Sequence, residues 1–345
     1  MTEPGAKLLT VEHDGQVSAI CFHPDSSLLA SGGGSTSVAV TPVGPGQELR
    51  IESMGFVADL AFSPDGTRLA VADLDQVAVF EVADGTPVWR GPLQAQTSVN
   101  SVVFAPDGAS LVATTDDHVF VLDAQTGTRE REFAIEPTIA GADLSRDGRL
   151  IALAIDKRHG GNHVNAGAAV VVELDTGTER SRLTPANAVF AVAFSPQAPD
   201  PLVLCGSADG TTRMFDSSSG DEVWEERIET GASTLGIDPK GRWVVIGSAD
   251  GAAMVLEAES GVPSDGKVAF DGAVMHVAFA GNGKWAAAVG FSDPDERVVV
   301  FHAETGAKRY ALPIPECLAL RFSPNSRWLA LGHFGSAEIY DNGET

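Results

Sequence analysis

Cysteine is nearly missing from this chain: three in 345 residues, Cys21, Cys205 and Cys317, at spacings that fit no metal or redox motif. An odd number so widely spaced excludes a disulfide framework, and the three read as reduced core residues of a cytoplasmic protein. Lysine is also scarce. Six lysines and seventeen arginines face 47 acidic residues, leaving a net charge of −24. Nucleic acids and anionic membranes are held by clustered Lys and Arg, so neither is expected as a partner. The surplus acid keeps a protein dispersed, and its sharper implication is a basic partner. No window approaches the roughly 18 apolar residues of a membrane span, and Met1 to Thr10 carries no apolar stretch of signal-peptide length, so a soluble protein is expected. Catalytic signatures are missing too: no G-x-S-x-G elbow, no H-E-x-x-H, no phosphate-cradling loop and no dinucleotide fingerprint. The chain therefore reads as non-catalytic, with no catalytic residue, resident metal or cofactor.

What is present is repetition. Helix start and stop signals are rare, whereas 37 Gly and 19 Pro cut many short Val, Ala and Leu runs, which favours an all-β fold. One motif, an apolar run followed by a turn of the Pro-Asp-Gly kind, recurs as VSAICFHPDSS at Val17, VADLAFSPDGT at Val57, VNSVVFAPDGA at Val99 and IAGADLSRDGR at Ile139. It returns as VFAVAFSPQAP at Val189, ASTLGIDPKGR at Ala232, VMHVAFAGNGK at Val274 and CLALRFSPNSR at Cys317. The residues closing these runs, Phe22, Phe62, Phe104, Leu144, Phe194, Ile237, Phe279 and Phe322, lie 40, 42, 40, 50, 43, 42 and 43 apart. That is the period of a four-stranded propeller blade, about 40 to 45 residues. Asp-Gly hairpins in GSADG at Gly206 and Gly247, and Gly turns such as Thr126-Gly127 and Ser260-Gly261, join the later strands of each repeat.

The eighth repeat supplies three strands, and the run KLLTVEH from Lys7 to His13 has no repeat of its own. The expected architecture is one closed domain over residues 1–345, an eight-bladed β-propeller of four-stranded antiparallel blades, in which the N-terminal strand completes the last blade. Seven blades is the alternative and requires one repeat to be a decoy.

The sequence of Phe-Ser-Pro-Asp-Gly, a second Leu-Ala strand, an Asp-containing hairpin and a third strand ending in an aromatic and an Asp resembles the WD40-repeat family over essentially the whole chain. The Trp-Asp pair of that family is softened to Phe215-Asp216, Leu122-Asp123 and Tyr340-Asp341, and His13 in HDGQV is the nearest counterpart of its Gly-His pair. The resemblance implies a scaffold that docks proteins or peptides on one face; a monomer in isolation is expected. The alternative is a metal-dependent propeller hydrolase resembling lactonases.

Candidate binding residues fall on that face, where the segments leading into the innermost strands meet the second-to-third hairpins. Three residues before each closing residue the inner strands carry small side chains, except Asp59 and His276. With Asn100 and Asp143 these could hold a hard cation in the channel, or simply line it. The longest insertion, Ile155 to Ala169, carries His159 and His163, with His118 in the hairpin of the adjacent blade, as a flexible polar loop or a three-imidazole metal site. Phe291, Asp293 and Arg297 in GFSDPDERV, with Phe56 and Phe334, are the anchor types of interfaces. Trp89, Trp224, Trp243, Trp285 and Trp328 sit at repeated positions and read as packing residues.

Overall fold

The computed structural model describes residues 3–35, 37–53, 55–93, 98–136, 138–156, 167–196, 201–228, 230–291, 298–314 and 316–343, and its regular elements are antiparallel β-strands. Contacts divide the chain into two compact units, Met1–Ala134 with Ile314–Thr345, and Ile135–Pro313.

The first unit holds β1 (Lys7–Phe22), β2 (Leu28–Gly33), β3 (Ser37–Pro42), β4 (Leu49–Glu52), β5 (Val57–Phe62), β6 (Arg68–Asp73), β7 (Gln76–Glu81), β8 (Pro87–Pro92), β9 (Val99–Phe104), β10 (Ser110–Thr115), β11 (His118–Asp123) and β12 (Arg129–Ala134). The second holds β13 (Ile139–Leu144), β14 (Leu150–Ile155), β15 (Ala168–Glu173), β16 (Glu179–Leu183), β17 (Val189–Phe194), β18 (Leu202–Ser207), β19 (Thr211–Asp216), β20 (Glu222–Arg227), β21 (Ala232–Ile237), β22 (Trp243–Ser248), β23 (Ala252–Glu257), β24 (Pro263–Ala269), β25 (Val274–Phe279), β26 (Trp285–Gly290), β27 (Val298–His302) and β28 (Lys308–Leu312). The last strands, β29 (Ala319–Phe322) and β30 (Trp328–Asp341), return to the first unit.

Among the described residues these strands form seven hydrogen-bonded sheets, which corrects the expected count of eight four-stranded blades. Six sheets have four strands each, and the seventh has six in the order β29-β30-β1-β2-β3-β4. The difference arises because β1 and β30 run unbroken through the points where the repeat pattern places a boundary. The first half of β1 pairs with β30, from Lys7↔Tyr340 to Glu12↔Ser336, and its second half pairs with β2, from Val17↔Gly33 to Phe22↔Leu29. The first and last repeats thus share one sheet. It encloses a core of its own, with Val11, Ala337 and Ile339 against Val17, Ile20 and Leu29.

Elsewhere the core lies between neighbouring sheets of a unit. Ala70, Val77 and Val79 pack with Phe104, Leu111 and Phe120 in the first unit. Leu204, Met214 and Trp224 pack with Val244, Ile246 and Leu256 in the second. A strand covered on both faces needs no polar side, which is why LIALAI in β14 and WAAAVG in β26 are buried from end to end. The outer fourth strands alternate instead, as REREFA in β12 does.

Two tryptophans of fourth strands lock consecutive sheets. Trp89 in β8 donates its indole N–H to the Ala124 carbonyl at 3.0 Å, and Trp224 in β20 does the same to Ala258 at 2.9 Å. Each ring lies on a turn glycine of the next sheet, where a Cβ would stand 2.5 Å from Trp89 at Gly127 and 2.7 Å from Trp224 at Gly261. Trp285 and Trp328 take cations on their faces, Arg309 at 4.1 Å and Arg327 at 4.3 Å from the ring centroids.

Candidate binding face

Antiparallel pairing puts the start of each first strand beside the end of the second, so lead-in segments and second-to-third hairpins share one end of every sheet. In the first unit Val57 opposes Asp73 and Gln16 opposes Phe334. The Leu74 N–H accordingly reaches the Phe56 carbonyl at 3.2 Å. Phe334 is 67% exposed, Leu74 45% and Phe56 38%, at the tips where a polar residue is usual. Around them, in lead-ins 13–16, 55–56 and 316–318 and hairpins 34–35, 74–75, 116–117 and 333–335, stand Asp14, Asp75, Asp116, Asp117 and Glu316, and no Lys or Arg among the described residues. Leu74 is an exposed apolar tip that sequence reading missed. Its signal was an apolar residue in a hairpin where other repeats carry Asp-Gly or Asp-Asp.

In the second unit the corresponding segments carry Glu136, Asp156, Asp209, Asp250 and Asp271, again without Lys or Arg among the described residues. Asp209 is neutralised from within its own sheet by Arg213 at 3.1 Å. Phe291 is 53% exposed and marks this end of its sheet. Asp293, Arg297, His159 and His163 lie outside the described residues.

The polar candidates are occupied by structural bonds. Asp59 accepts the Leu60 N–H at 2.9 Å on one carboxyl oxygen and the Val102 N–H at 3.0 Å on the other, tying β5 to β9 of the next sheet. Asp143 repeats the arrangement with Leu144 at 3.0 Å and Phe194 at 2.7 Å, tying β13 to β17. Desolvation outweighs these donors and raises both carboxyls, that of Asp143 to about 6. Asn100 donates to Asp116 at 2.8 Å within its own sheet. His118 is 2.9 Å from the Asp117 carboxylate, 3.7 Å from Glu132, and stacked on Phe120 at 5.7 Å. His276 opposes Val289 in the second unit, whereas Asp59 belongs to the first. Among the described residues no three His, Cys, Asp or Glu side chains converge as a metal site. Burial drives the thiols of Cys205 and Cys317 to about 12, and Cys21 higher still, so none offers a thiolate near neutral pH.

His13, the nearest counterpart of a Gly-His pair in the sequence, is the best-defined polar site. It is buried with its ring between the Ser31 hydroxyl at 2.9 Å and the Ser35 hydroxyl at 3.2 Å. Burial and then Arg50 hold it down at about 4, neutral at pH 7.

No curated protein sequence matches this chain. Among solved structures it superposes on the C-terminal WD40 domain of Sif2 with a TM-score of 0.80 over 99% of both chains at 13% identity. The computationally designed Ika8 protein gives 0.78 over 98% of this chain and all of that one at 19% identity. Such identities establish a common fold alone. Residues 5–40 match the WD domain, G-beta repeat model, and residues 37–261, well over half the chain, match the model described as outer membrane protein assembly factor BamB. The chain belongs to that family by the extent of the match, and its fold and N-terminal repeat are those of a WD40-like β-propeller.

Proposed function

We propose that this protein is a non-catalytic, monomeric cytoplasmic scaffold, a single domain over residues 1–345 without metal or cofactor. On this reading the lead-in and hairpin end of its sheets docks a basic protein segment. The observation that carries the reading is the pairing of exposed Phe334, Leu74 and Phe56 with acidic loops free of Lys and Arg among the described residues. Apolar anchors supply affinity, and surrounding charge of one sign selects the partner and speeds its approach. WD40 folds are ordinarily interaction modules, which supports the same reading. No helix among the described residues is long and apolar enough to cross a membrane.

The test is binding to an array of lysine- and arginine-rich peptides, followed by capture from native lysate. Phe334→Ser with Asp75→Lys touches only exposed side chains and should weaken binding on the order of tenfold, with wild-type binding falling as salt rises. Capture of acidic partners, or affinity indifferent to both substitutions, would overturn the reading.

A further inference from the structure

The first half of β1 is paired to a strand from the other end of the sequence. Along Lys7–His13 only Val11 and His13 are buried, while Lys7, Leu8, Thr10 and Glu12 are exposed. Pairing to β30 breaks after Glu12↔Ser336 and resumes at Gln16↔Phe334, so His13 stands at the hinge between the two halves. At the far end the Lys7 ammonium donates to the Glu338 carboxylate at 2.8 Å. Glu338 is buried, also accepts the Tyr340 hydroxyl, and lies 3.7 Å from His333. From the other side Arg50 of β4 holds the Glu12 carbonyl at 2.8 Å. The strand thus rests on its backbone ladder, buried Val11 and half-buried Leu9, one ammonium latch, the Arg50 bond and one neutral imidazole.

We propose that Lys7–Glu12 is an acid-released clasp, in which protonation of His13 at the hinge frees the strand from β30 while the other sheets stay folded. The ring accepts at most one of its two serine hydrogen bonds as a neutral base, and a second ring proton obliges it to become a charged donor in a buried site. Arg50, on β4 of the same sheet, opposes that charge, and Glu48 and Asp14 favour it without prevailing. The folded value of about 4 lies below the ordinary 6.5, so an opened strand binds the proton more readily and opening grows as pH falls from 6.5 toward 4. The latch acts in the same direction lower down. Lys7 and Tyr340 hold Glu338 below its usual range despite burial, and that contribution is lost only when the carboxylate protonates.

Hydrogen exchange read by mass spectrometry on the full chain at pH 7, 6 and 5, corrected for intrinsic rates, tests the clasp. Protection of peptides covering 7–12 and 336–340 should fall on the order of tenfold between pH 7 and 5, with peptides from β18 and β19 unchanged. His13→Asn should abolish the step. A fall of equal size in the variant, or protection of 7–12 and 336–340 unchanged between pH 7 and pH 5, would overturn the proposal. Should the variant fail to fold, the wild type decides alone, a fall between pH 7 and pH 5 confined to 7–12 and 336–340 supporting it and its absence overturning it.

Discussion

At the scale of single residues, tryptophan and glycine act as a pair across two sheets. Gly261 has φ of +73°, which an L side chain adopts at a cost of about 1 kcal/mol, and its Cβ would press into the Trp224 ring. Gly261→Ala should therefore cost about 2 to 3 kcal/mol by urea unfolding. Gly91→Ala, whose Cβ meets nothing within 4 Å, should stay within about 1 kcal/mol of wild type. Equal losses would show that the ring contact carries no weight. The packing role of Trp89 and Trp224 was legible because they recur at one repeat position. Their partners were not, since the glycine each ring covers belongs to the following repeat and only the stacking of sheets brings the two together.

Between elements, two pairs of first strands, β5 with β9 and β13 with β17, are joined by a carboxylate that accepts a backbone N–H group from the next sheet. Asp143 has a folded value near 6 against an ordinary 3.8, so the stability tied to its protonated form is complete below about pH 4 and is lost as pH rises through 6. Asp143→Asn removes that dependence. Wild-type stability relative to the variant should therefore drop, on the order of 2 kcal/mol, between pH 4 and pH 7, measured from urea midpoints. A difference that stays flat with pH would mean that the carboxyl remains hydrated. Sequence reading found Asp59 as an exception among small residues, and saw Asp143 only as its neighbour. Asp59 stands three residues before the end of its strand and Asp143 one before, so no single repeat position marks the tie. Its meaning depends on which N–H groups the adjoining sheet leaves unpaired.

For the whole molecule, period and turn chemistry were open to sequence reading because each repeat fixes them locally. The number of sheets was not. The pairing of Lys7–Glu12 with the last repeat was legible, from a run without a repeat of its own and a final repeat one strand short, but that β1 and β30 each run on unbroken and so merge the two repeats into one sheet was not. Removing residues 3–12 strips the ladder from β30 and exposes an edge, so the truncated protein should melt at lower temperature and associate. Light scattering and calorimetry check this, and a monomeric variant melting within a few degrees of wild type would contradict it.

The same pairing imposes an order in time. Lys7 is made 331 residues before its partner Glu338, and at about 5 to 20 residues per second the ribosome takes roughly 15 to 65 s to supply it. β2, the partner of the second half of β1, is made directly after it, whereas Lys7–Glu12 waits without its partner until Ser336–Tyr340 is made. The ladder between Lys7 and Tyr340 cannot close before residue 340 is made, and every translation product interrupted before Ser336 leaves the strand without its mate.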